Sequence, residues 1–282
     1  MIVYLDHHFI ADPNCWPIIK ALSDRGQIRV AISSWNIREI AQGMLERAER
    51  MEFLESLAPL YIHDMQVLQR LEVVSFLNMA MFGGQRVPFA MFTETFADSL
   101  LMNLQVKVRP DYQLSDYIRA EGDVTGDAVD LAMETYVVAR NALLANPDGV
   151  KRSEEQANHA TMTTLIPRRG FDGRHWEPSQ IADMLIFCHR NRRPLLRACP
   201  AIFAEDALVR ARQADPTRRP KKSDTADLFH SVSALAYADV FLTNDGWARG
   251  KALVASRAMQ ARGVASCKVL RTLGELQQLV TN

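Results

Sequence analysis

The feature that most constrains this chain is a change of hydrophobic grammar along its length. Both ends alternate short β-prone apolar runs with amphipathic helical stretches, whereas the middle contains no convincing strand. Short apolar runs that alternate with helical periods are the mark of parallel strands joined by crossover helices. The chain opens Met-Ile-Val-Tyr-Leu-Asp6, a buried-strand run closed by an acid. Residues 13–26 read as a helix, capped at Asp12 or Asn14 and stopped by Gly26. Residues 28–33 read as a second strand. Ser34 then caps a helix over 35–50, with Ile37, Ile40, Met44 and Leu45 at helical spacing. Residues 60–62 read as a third strand, followed by a helix through Val67, Leu68, Leu71 and Val74. Near the other end the pattern returns: helix 224–237, strand 238–243, helix 251–263, strand 267–270 and a closing helix 273–279.

Gly83-Gly84 opens the different middle. It reads as helical at 89–104, 128–144, 179–191 and 200–214, with Pro167, Pro178, Pro194, Pro200, Pro216 and Pro220 marking loops. The expectation is an α/β core built from residues 1–84 and 216–282, roughly 150 residues and enough for one domain. Residues 85–215 are then an all-helical insertion.

Composition narrows the class. The 282 residues carry 33 Lys+Arg against 33 Asp+Glu, so the net charge is zero, and 48% are hydrophobic. That is ordinary globular usage and argues against disorder. No run approaches the ~20 apolar residues of a membrane helix. The first residues reach Asp6 without a basic flank, unlike a signal peptide. The expected location is cytoplasmic, with no membrane partner. Cys15, Cys188, Cys199 and Cys267 are scattered without CxxC spacing, which reads as reduced thiols. Neutrality also hides local charge. Acids dominate 111–134, while arginine and lysine crowd the second half of the middle, just before Asp224.

Ligands of open α/β sheets sit outside the carboxyl ends of the strands. Asp6 closes the first strand there. Ser33 and Ser34 close the second, with Glu39 in the helix that follows. Thr243, Asn244 and Asp245 close the strand of the last third, and Asp224 and Asp227 open the helix before it. Several carboxylates in one crevice raise each other's pKa unless a cation joins them. Mg²⁺ or Mn²⁺ suits oxygen ligands and phosphodiester hydrolysis. His7 and His8 follow Asp6, and His230 shares a helical face with Asp227, where it reads as a partner for a carboxylate. His159, His175 and His189 have no partner at zinc spacing.

These motifs, Val3-Tyr-Leu-Asp6, Ser34-x4-Glu39 and Asp227-x15-Thr243-Asn-Asp245 with an alanine-rich helix between, resemble those of PIN-domain ribonucleases. The resemblance covers the two ends only. It implies a PIN-like three-layer α/β/α core around a central parallel sheet. It also implies a Mg²⁺- or Mn²⁺-dependent endonuclease in which Asp6, Glu39, Asp227 and Asp245 hold the ion and orient an in-line water. Asp224 is an accessory ligand, and Ser34, Thr243 and Asn244 support the site. The insertion of roughly 130 residues departs from the short chains typical of that family. RNA is the expected substrate, with single-stranded DNA second. Arg168, Arg169, Arg192, Arg193, Arg218, Arg219, Lys221 and Lys222 are the expected backbone-gripping residues. The helical insertion leaves room for a protein partner or a homodimer. The rival readings are a non-catalytic PIN-like docking module, the toxin of a toxin–antitoxin pair, and a small-molecule phosphatase. Position 8 is His8 rather than the second Asp of a DxD arrangement, which disfavours the last.

Overall fold

The computed structural model describes residues 1–42, 47–120, 162–163, 165–168, 175–213, 223–264 and 267–281. Its centre is a six-stranded sheet with the order β4-β3-β2-β1-β5-β6. The strands are β1 (Ile2–Leu5), β2 (Arg29–Ile32), β3 (Leu60–Ile62), β4 (Phe92–Thr93), β5 (Val240–Leu242) and β6 (Lys268–Leu270). All pairings are parallel except β3–β4, which is antiparallel. The chain is therefore α/β, as its alternating ends predict.

Alternate strand residues feed two separate cores, which is why the strands read as continuous apolar runs. On one face, Tyr4, Ala31, Phe241 and Val269 pack with α5 (Met65–Ala80), α10 (Pro200–Gln213), α11 (Ser223–Tyr237) and α12 (Gly246–Gln260). On the other, Val3, Leu5, Val30, Ile32, Val240 and Leu242 pack with α1 (His7–Ala11), α2 (Trp16–Asp24), α3 (Ser34–Gln42), α4 (Arg47–Ser56), α6 (Phe96–Leu104), α7 (Leu114–Ala120) and α13 (Leu273–Thr281). A satellite core joins the end of α5, through Val73, Phe76 and Leu77, to α8 (Pro178–Arg190) and α9 (Arg192–Ala198). Among the described residues, no helix is long and apolar enough to cross a membrane.

The middle departs from its reading. The segment expected to be wholly helical supplies β4, which pairs with the edge of β3. The helix read over 89–104 begins only at Phe96, where Thr95 caps it by accepting from Asp98 N. Helix α10 belongs to the sheet-covering core, through Ala201, Phe203, Ala204, Ala207 and Leu208. Pro178 and Pro194 fall in the first turns of α8 and α9 instead of in loops, and Pro200 opens α10 where the helix read over 200–214 begins. The missing N–H costs nothing there, because first-turn amides have no intrahelical partner. The helix read over 128–144 lies outside the described residues.

Candidate functional site

The connections after β1 and β5 leave in opposite directions across the sheet, to β2 and to β6. A crevice opens at such a switch point, outside the carboxyl ends of the two strands. Register places Leu5 beside Leu242, and pairing continues one step further, with Asp6 N donating to Leu242 O at 3.0 Å. Asp6 and Thr243 thus become neighbours. The Thr243 hydroxyl, fully buried, donates to Asp6 Oδ2 at 2.7 Å. The pleat directs Tyr4 and Asp6 to the same face, toward α11.

Helix α11 supplies Asp227 and His230, three residues apart and so on one side. Asp227 is half-buried, and its pKa is raised to about 7. Burial is the main cause; the charges of Asp6 and Asp245 add to it, against weaker opposition from His230 and Arg212. Three acids from distant parts of the sequence therefore share one electrostatic site.

Glu39 reaches this site through histidine. His230, 1% exposed, has Nε2 3.1 Å from Glu39 Oε2, and its Nδ1 meets the Tyr4 hydroxyl at 2.5 Å. The Tyr4 hydroxyl also meets Ser33 Oγ at 2.7 Å. Burial opposes a charge on His230, but Glu39, with Asp6 and Asp227 behind it, outweighs burial and raises the histidine pKa. Burial likewise raises Glu39, yet His230 and His7 pull it below its ordinary value. His7 Nδ1 lies 3.6 Å from the same Glu39 oxygen, and burial keeps the His7 pKa low.

Two of the acids also cap helices. Asp6 accepts from His7 N at 2.8 Å at the start of α1. Asp245, exposed, accepts from Trp247 N at 2.8 Å and Ala248 N at 2.6 Å. That cap starts α12 at Gly246, five residues before the helix read from periodicity at 251. Among the described residues, no group of three or more His, Cys, Asp or Glu side chains is placed to hold a metal ion. The donor set nevertheless fits a hard divalent cation by its chemistry. It is carboxylate oxygen throughout, and the repulsion felt at Asp227 is what such an ion would relieve.

The remaining expectations divide. Asp224 is 3% exposed, and its backbone carbonyl accepts from the Arg212 guanidinium. Ser34 donates to Asp64, an acid with no part in the sequence reading. The cap of α3 is Ser33 rather than Ser34: Ser33 Oγ accepts from Trp35 N at 3.3 Å, and Asn36 Oδ1 accepts from Ser33 N at 2.8 Å. This is a variant of the capping box, with Asn in the Glu/Gln place and the serine hydroxyl on the second helical N–H, and the Ser-x-x-Asn spacing was its signal. Asn244 is exposed, its Nδ2 3.1 Å from His8 Nε2. Of the basic residues, Arg192 pairs with Asp206 at 2.6 Å, while Arg168 and Arg193 are exposed. Arg169, Arg218, Arg219, Lys221 and Lys222 lie outside the described residues. No protein-family model, curated protein or solved structure matches the chain.

Proposed function

We propose that this chain is a PIN-like, divalent-metal-dependent endonuclease that hydrolyses phosphodiester bonds of RNA. The observation that carries the reading is Asp227, raised to about pKa 7 first by burial and then by Asp6 and Asp245, which follow the carboxyl ends of neighbouring parallel strands. Asp6, Asp227 and Asp245 would hold Mg²⁺ or Mn²⁺, with Glu39 at the margin and Asp224 behind. When bound, the ion supplies a nucleophilic water at neutral pH and stabilises charge on the reacting phosphate. The Thr243 hydroxyl fixes the orientation of Asp6. His230, anchored by Tyr4, holds Glu39 in its ionised form. In-line attack by water leaves 5′-phosphate and 3′-hydroxyl ends; a 2′,3′-cyclic phosphate product would contradict the mechanism.

A second reading draws on the helix caps of Asp6 and Asp245, which give both acids a structural reason to be present. On that reading the chain is a non-catalytic PIN-like module. One experiment separates the two: cleavage of RNA and single-stranded DNA with Mg²⁺ or Mn²⁺ by the wild type, Asp6→Asn and Asp245→Asn, purified identically. Asparagine caps helices nearly as well as aspartate. The nuclease reading therefore expects both variants to fold and to lose at least about 100-fold in activity. Cleavage that is equal in all three, or absent from all, supports the non-catalytic module.

A further inference from the structure

We infer that Arg212 and Trp247 form a nucleotide-holding subsite on the rim of the acid crevice, the guanidinium for a backbone phosphate and the indole for the adjoining base. The inference rests on the nuclease reading and specifies how the site takes its substrate.

The charges of Asp6 and Asp245, felt at Asp227, would repel a phosphodiester unless cations stood close by. Arg212 stands there. It lies in the last turn of α10, half-buried, with its Cζ 4.9 Å from the centre of the Trp247 ring. It donates to the carbonyl of Asp224 in the first turn of α11 and draws down the proton affinity of Asp227. Trp247, also half-buried, is the second residue of α12, and its backbone N–H donates to Asp245. Lys251, one turn on, sets its Nζ 5.9 Å from the same ring. One indole with two cations thus stands beside the first turns of α11 and α12, the helices that Asp224 and Asp245 open.

Each part has a chemical use. The guanidinium lies over the indole and donates to the Asp224 carbonyl, which together restrict its position, and a positioned guanidinium is well matched to phosphate oxygens. Indole rings carry nucleobases without regard to sequence, by stacking and cation–π attraction. The placement also gives α10 a task beyond packing, since its core side covers the sheet while its last turn brings a cation to the crevice.

A plainer role would be compensation of the acids' charge by Arg212, and salt dependence tells the two apart. The test measures binding of the full chain to a fluorescein-labelled single-stranded RNA of mixed sequence. It uses fluorescence anisotropy across a salt series with Ca²⁺ as the divalent ion, together with cleavage in Mg²⁺. Arg212→Gln is expected to weaken binding about tenfold and to reduce the slope of log Kd against log salt by about 0.7, the share of one phosphate contact. Trp247→Ala is expected to weaken binding about tenfold with the slope unchanged. Arg212→Lys should keep the slope and lose part of the affinity, and Trp247→Phe should keep most of the binding. These two conservative variants decide the matter should the larger changes impair folding. Wild-type affinity and slope in both Arg212→Gln and Trp247→Ala would overturn the subsite while leaving an Asp6-dependent nuclease intact. A wild type that neither binds nor cleaves would overturn both.

Discussion

Two carboxyl groups in this molecule share a pKa raised to about 7, and they reach it in different company. Glu72, 2% exposed in α5, is raised by burial, but the groups nearest it are donors. It accepts from Ala201 N at 2.7 Å and Ile202 N at 3.2 Å in the first turn of α10, and from the Tyr237 hydroxyl at 2.5 Å. Asp227 is raised by burial and then further by Asp6 and Asp245. The first site is complete as protein: its carboxylate joins α5, α10 and α11. The second is a meeting of like charges near a sheet switch point, where the proposed function puts a cation. A raised pKa alone therefore does not tell one acid's setting from the other's; the identity of the neighbours, donors at Glu72 and like charges at Asp227, does.

The contrast can be broken most forcefully at Glu72. Glu72→Ala strands three donors in the core and should cost about 3–5 kcal/mol in denaturant unfolding. Glu72→Gln, which keeps an acceptor, should cost about 1 kcal/mol or less at pH 8. A mild alanine variant would show that Glu72 does not join the helices.

Asp227→Asn should move the other way. Without divalent ions at pH 8 it should stabilise the fold by about 1–3 kcal/mol, allowing for partial solvent screening. The sign follows from linkage. Both acids titrate near 4 when unfolded and near 7 in the fold. Between those values the folded chain holds protons that the unfolded chain has released, so stability falls as pH rises from about 4 to about 7. Glu72→Gln and Asp227→Asn should each flatten that decline, and a slope unchanged in both variants would refute the assignment.

Mg²⁺ or Mn²⁺ sharpens the comparison further. Saturating ion should raise the melting temperature of the wild type by about 5 °C at pH 8 and by less at pH 5.5, where Asp227 is protonated. Glu72→Gln should retain the rise and Asp227→Asn should lose it. A rise that survives Asp227→Asn would place the ion elsewhere. The smallest effect belongs to the cap at Asp245: alanine there should cost about 1 kcal/mol, and asparagine only a few tenths.

Much of this arrangement was legible in the sequence. The strands at Ile2–Leu5, Arg29–Ile32, Leu60–Ile62, Val240–Leu242 and Lys268–Leu270 all lie within the apolar runs that announced them or coincide with them. A buried parallel strand must be apolar on both faces, so it is visible without its neighbours. Asp6 and Asp245 were legible for a related reason, since each directly follows or nearly follows such a run. The pairing of His230 with a carboxylate was also readable from its spacing to Asp227, although the carboxylate is Glu39 of α3.

Other features depend on contacts that no local pattern encodes. Strand β4 is two residues long and exists because the edge of β3 offers unpaired backbone groups. Ser33 and Ser34 are adjacent and chemically alike, yet one meets Tyr4 of β1 while the other donates to Asp64. Arg212 was one cation in a basic crowd until the packing of α10 against α11 and α12 carried it over Trp247. The sequence by itself determined the parallel strands and the acids at their ends, because hydrophobic periodicity and strand termination are local properties. Only the tertiary structure decided which acids feel one another and which arginine stands beside them, because electrostatics and hydrogen bonding act between side chains that folding brings together from separate parts of the chain.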